Sequence, residues 1–311
     1  MKMKYFIRLA CLTFVFTLGA LSTSFAQKVT PNHVFQLVDT AYQELERFHD
    51  SDFSQSPDAN VKIPPRKPRH VLQKAQEVYI KVQNLRRLNG LTQNPIHPIP
   101  VRQVTPGDVK KSIEKILEDL ENLKSIYNIK GTLPPVHLPT DKTPTDVYQH
   151  LSKVSASLDA LGLPVVVPND VYRIAETVVI DLEKLVQHKK LYAKTDIRTF
   201  TGKTPSAVYD HTHLLLVKLR DLTEQSEYQI KGGVILLNKP QGAIKPAHVM
   251  DGLGNAIAEI GAIKYKAGMT QPTQFANLKS GKTPSDVFAR VQQAHDLVDI
   301  LMTGHSNQNA F

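Results

Sequence analysis

Two near-identical phrases come closest to a catalytic signature, Gly202-Lys203-Thr204-Pro205-Ser206 and Gly281-Lys282-Thr283-Pro284-Ser285. A phosphate-binding loop needs Gly-x-x-x-x-Gly-Lys-Ser/Thr, so that backbone N–H groups can cradle the phosphates. Ile197 and Ala276 stand where its first glycine belongs, and each threonine is followed by a proline with no N–H to offer. The phrases read as helix starts instead.

Twelve histidines invite a search for metal ligands. His211 and His213, two positions apart on a helix, point roughly 200° away from each other and cannot share an ion. Glu46 with His49 and Asp210 with His213 have the i, i+3 spacing of di-iron bundles, but such sites need matched pairs and further glutamates on facing helices. These pairs occupy non-equivalent places, so no metal site is expected. Among unassigned polar residues, His97 in "NPIHPIP" and His137 in "LPPVHLP" recur at similar points of successive linkers. Tyr148, Tyr172 and Tyr209 recur just after a helix start. These five are the candidate ligand contacts, the tyrosines on the condition that their helix starts converge; phenols packed in the core with satisfied hydroxyls are the competing expectation. No nucleophile elbow, zinc-protease motif, dinucleotide fingerprint or haem-attachment motif occurs, and no cofactor is expected. The chain does not read as an enzyme.

The elements that must position these residues come from an eightfold repeat. Pro31, Pro68, Pro106, Pro144, Pro168, Pro205, Pro246 and Pro284 are each followed three residues later by valine. From each valine an apolar ladder continues at spacings of four, three, four and three, as in Val109, Ile113, Ile116, Leu120 and Leu123, which lines one helix face. Only Thr212 puts a polar group on any ladder. A threonine cap, a proline in the first turn and an aspartate two residues later (Asp108, Asp146, Asp170, Asp286) form a helix-start signal. His33, His70 and His248 replace the acid elsewhere. Lys67, Val167 and Lys245 stand where threonine would cap, so those three helices are expected to start less sharply.

The proline intervals are 37, 38, 38, 24, 37, 41 and 38 residues. The short one divides the chain into matching halves. The fold class expected is all-α: eight single-helix repeats forming two tandem four-helix bundle-like units, residues 27–163 and 164–311, joined by long proline-containing linkers. A linker of about 15 residues reaches about 50 Å at most, enough to return along a helix of about 30 Å. Parallel and up-and-down orders are therefore both open within a unit, while the short halfway turn favours antiparallel neighbours. Val234 to Leu237 could form a short strand or plug a bundle end.

Residues 1–26 read as a secretory signal, with Lys2, Lys4 and Arg8 before an apolar run and Ser24-Phe25-Ala26 before the cut. The run is shorter than the roughly 20 residues of a spanning helix. Cys11, the one cysteine, leaves with it, which excludes disulfides and thiolate chemistry in the mature chain. Three positive charges also leave, taking the net from +9 to +6 with no concentrated basic stripe, so nucleic acid is not an expected partner. The functional expectation is an exported, periplasmic or secreted helical-repeat protein. It would act as a binding, sensing or scaffold module of a bacterial-type cell envelope, toward an envelope protein or a small-molecule or glycan ligand. The alternative is a helical hydrolase or lyase on an envelope polymer, with histidine and tyrosine as acid and base.

Overall fold

A computed structural model of the chain describes residues 28–57, 63–191, 195 and 197–304, and the signal segment lies outside them. The described chain is all-α, with helices α1 (Pro31–Asp52), α2 (Pro68–Leu88), α3 (Pro106–Leu123), α4 (Pro144–Ala160), α5 (Pro168–His188), α6 (Pro205–Leu222), α7 (Pro246–Lys266) and α8 (Pro284–Thr303). Each starts on the proline of its phrase. Among the described residues, none of these helices is long and apolar enough to cross a membrane.

The starts without threonine are as sharp as the others, because the third helical residue does the capping. Asp170 accepts the Val167 N–H at 3.0 Å, and His70 and His248 accept the Lys67 and Lys245 N–H groups through Nδ1 at 3.0 and 3.2 Å. An imidazole lone pair thus replaces a carboxylate in the capping box. Every ladder residue is buried, and Thr212 satisfies its hydroxyl on the Val208 carbonyl one turn back at 2.9 Å.

Within each unit the four helices are parallel. Pro31, Pro68, Pro106 and Pro144, with their four valines, surround one shallow depression, and the four later prolines and valines surround another. α1 and α2 each pack against α3 and α4, and α5 and α6 each against α7 and α8. The linkers from α3 to α4 and from α7 to α8 are return straps. Between α3 and α4 the chain runs back down α1, as Lys130 O and Val136 O accept from Arg47 and Gln36, and the Lys142 N–H donates to Asn32. Between α7 and α8 it runs back down α5 in the same way, through Ala267 to His188, Ala276 to Thr177 and Lys282 to Asn169. Val234 is buried, and Leu236 and Leu237 pack on the second core while Ile235 and Asn238 bond Glu259, Asn255 and Tyr209, so this stretch lies along the side of the bundle and forms no strand.

The lysine of the repeated phrase now has a role. The residue two before the proline of α2, α4, α6 and α8 is basic, and each lays its charge over an aromatic ring on a neighbouring helix. Arg66 covers Tyr148 at 4.5 Å, Lys142 covers Phe35 at 4.5 Å, Lys203 covers Phe288 at 4.4 Å, and Lys282 covers Tyr172 at 4.6 Å. The same four residues donate their backbone N–H to Thr145, Asn32, Ser285 and Asn169. These contacts tie the helix starts into a collar.

The halves also share two ion pairs at equivalent positions. Lys124 with Glu44 and Lys264 with Asp181 join the third helix of a unit to the first, both at 2.7 Å. Lys81 with Asp159 and Lys218 with Asp299 join the second to the fourth, also at 2.7 Å. Two apolar cores result, one per half, with a single exchange: Val101 of the α2–α3 linker is buried in the second core, and Ile99 forms an isolated antiparallel bridge with Thr273.

Candidate functional site

The units meet where α2 crosses α7. Arg69 and His70 reach Glu259, whereas Lys74, further along α2, reaches Asp251, earlier along α7, so the two helices run antiparallel. The units therefore point in opposite directions, and so do α4 and α5 across the halfway turn. On α2 a second stripe, His70, Lys74, Glu77 and Lys81, has the same spacing as the ladder and lies beside it. His70 and Lys74 of that stripe reach the other unit, while Glu77 and Lys81 bond Ser155 and Asp159 of α4.

Glu259 holds the seam and is wholly buried. It accepts from Arg69 Nε at 2.9 Å, from His70 Nε2 at 2.8 Å and from the Ile235 N–H at 2.7 Å. Since His70 Nδ1 accepts the Lys67 N–H, its proton sits on Nε2. Burial, outweighing the attraction of Glu259, lowers its pKa below the ordinary 6.5.

Beside this contact lies a narrow cleft of about 80 Å³, lined on one wall by α2 and Tyr148 and on the other by the starts of α5 and α7. Lys74 spans it, with Nζ 2.9 Å from both Glu77 and Asp251. Burial opposes the lysine charge, yet Asp251 and Glu77 together raise its pKa well above 10.5. Glu77 is held at about 2, since Lys74 and Lys81 outweigh the burial that would raise it, and it accepts from Ser155 Oγ at 2.9 Å. Asp251 moves the other way: burial, reinforced by the Glu77 charge, raises its carboxyl above the ordinary 3.8. Burial also pushes the Tyr148 phenol up to about 12.

The cleft contains polar atoms without partners. Gln73 Oε1 and Arg173 Nε are buried and make no hydrogen bond, although both residues line the space. Such atoms carry a desolvation cost of about 1–3 kcal/mol each unless something fills the gap. Chemically the site suits recognition. Tyr148 keeps its proton at neutral pH and serves as a donor, Glu77 stays ionised as an acceptor, and Lys74 stays charged.

Of the five candidate contacts, Tyr148 lines the cleft. Tyr209 lies close enough for its phenol to feel Asp251 and Arg66, with its hydroxyl on Asn238 O at 3.0 Å. Tyr172 is elsewhere, accepting from Arg290 Nε at 2.8 Å beneath Lys282. His97 is exposed beside Tyr79, and His137 is exposed on its strap; neither reaches the cleft. The three phenols therefore do not form one pocket. His49 spends its ring on Ser54 and Ser157, and no group of three His, Cys, Asp or Glu side chains among the described residues is placed to hold a metal.

Lys74, Glu77 and Asp251 were hidden in the sequence as ordinary helix-surface charges. A signal was present in the repeat itself: the equivalents of Lys74 and Glu77 on α6 are His211 and the exposed Leu214. Lys81 keeps its charge in both halves and belongs to the bundle; Lys74 and Glu77 do not. Comparison with protein families, curated proteins and solved structures found no match.

Proposed function

We propose that this chain is an exported binding module of the cell envelope that holds a small polar ligand in the cleft between its two units. The observation that carries the reading is the Lys74 bridge to Asp251 and Glu77 beside the unpartnered Gln73 Oε1 and Arg173 Nε. Fixed opposite charges with spare donors and acceptors match a zwitterionic or polyhydroxyl compound, and ligands commonly bind where two structural units meet. Occupation would bridge α2 and α7 and so couple ligand to the relative placement of the units, which is what a sensor requires.

The test is calorimetry of the mature chain against free amino acids and sugars, in parallel with Lys74→Met and Gln73→Leu. Binding by the wild type that falls at least tenfold in both variants supports the reading. Binding that is equal in all three chains, or no binding across both classes, overturns it. The export arm is read separately, by fractionating expressing cells and sequencing the mature N-terminus, expected at Gln27.

A further inference from the structure

On the opposite side of the α2·α7 seam lies a larger groove of about 500 Å³. Leu72, Ile257 and Ala258 contribute to its apolar lining, and Tyr265, half-exposed, stands on its rim. Its charged residues are all cations: Lys67, Arg69, Arg102, Lys231 and Lys266 line it, and no carboxylate does. Arg69 is engaged by Glu259 and Arg102 by Asp108. The ammonium groups of Lys67, Lys231 and Lys266 have no ion-pair partner among the described residues.

Lys67 is placed there against local preference. It occupies the cap position that threonine holds in five of the eight helices, where the positive end of the helix disfavours a cation. Its side chain lies against Gly232, where an added Cβ would come within 2.9 Å of Lys67 Cε. Gly232, at φ +80°, thus leaves room for the lysine to pass the turn that carries Lys231. Further along, Gly261 keeps the α7 wall of the groove low, with nothing within 4 Å of an added Cβ.

We propose that this groove binds a single-chain amphiphile with an anionic head, the acyl chain lying against Leu72, Ile257 and Ala258 and the head paired by Lys67 and Lys231. An apolar lining calls for hydrocarbon, and unpaired cations on its rim call for a carboxylate or similar anion. The groove shares only Gln73 with the polar cleft and takes a different chemistry, so Lys67, Lys231 and Gly261 test it separately.

The probe is monomeric dodecanoate, titrated calorimetrically into the mature chain, with dodecyl maltoside as the neutral head on the same chain and acetate as the head alone. Saturable one-to-one binding of dodecanoate is expected, at least tenfold tighter than the maltoside, with acetate silent. The double variant Lys67→Met/Lys231→Met should lose at least tenfold, and Gly261→Leu, which fills the wall without a clash, should abolish binding with the helical circular dichroism unchanged. Equal affinity for the neutral surfactant overturns the proposal. So does undiminished binding in the lysine variant, or binding to anionic phospholipid vesicles without binding of free dodecanoate.

Discussion

The ammonium of Lys282 sits 4.6 Å from the centre of the Tyr172 ring, across the boundary between α8 and α5. The same relation recurs between Lys203 and Phe288 at 4.4 Å, so the lysine of the Gly-Lys-Thr-Pro phrase fastens one helix start to another. Lys203→Ala and Lys282→Ala should each lower stability by about 0.5–1 kcal/mol. A double-mutant cycle of Lys282→Ala with Tyr172→Leu, followed by urea unfolding, should return a favourable coupling of that size. No coupling would remove the collar from the account of why the phrase is repeated.

The Lys264–Asp181 pair is wholly buried and is joined by Thr273, whose hydroxyl donates to Asp181. Removing one partner leaves an uncompensated charge in the core, so Lys264→Met or Asp181→Leu alone should cost about 3–5 kcal/mol. Combining the two should recover most of the loss. Denaturation midpoints of the three variants decide it, and a double variant as unstable as the singles would assign the pair a role beyond neutralising charge.

Acid should weaken the second unit through His211. Burial first, and then the charges of His295, Lys203 and Lys218, against a bond to Gln292, hold its imidazole at about 4 when folded, compared with an ordinary 6.5. The unfolded chain therefore takes up the proton first as pH falls. This contribution is present in full above pH 6.5 and is lost between pH 6.5 and about 4. His211→Phe, which keeps the stack on Phe288 at 4.2 Å, should flatten the fall in melting temperature over that window. His295, also lowered chiefly by burial, leaves a residual slope in the variant.

Glu259→Ala should loosen the two units from each other. It strips partners from Arg69, His70 and the Ile235 N–H together, and the expected cost is about 3–5 kcal/mol. Because the apolar ladders of each bundle are untouched, calorimetry should show the two units unfolding in more widely separated transitions than in the wild type. A variant whose unfolding profile is unchanged would count against Glu259 as the fastener of the seam.

Helix starts and ladders were legible because they rest on local chemistry repeated eight times: proline, cap, and spacing on one face. Helix direction was not, since a strap of about 15 residues can span a helix of about 30 Å or simply cross its end. The direction is set by contacts distant in sequence, such as Gln36 with Val136 and Thr177 with Ala276. Lys67, Val167 and Lys245 suggested soft helix starts because the cap was read at one position only, while His70, Asp170 and His248 supply it from the other side. Tyr148 was visible as a repeated aromatic, but Lys74 and Asp251 became neighbours only through the packing of one half on the other.

Parallel packing with return straps changes what the chain can inherit or lose. In an up-and-down bundle a single added helix reverses the direction of everything after it, so copies must come and go in pairs. Within a unit the chain returns to the starting end before each new helix, and one copy can be gained, deleted or exchanged there with the rest of that unit still entering in the same sense. The present pair of fours is then one member of a possible series of lengths, and grafting a single proline-to-strap segment from one copy into another is the natural unit of recombination for this architecture.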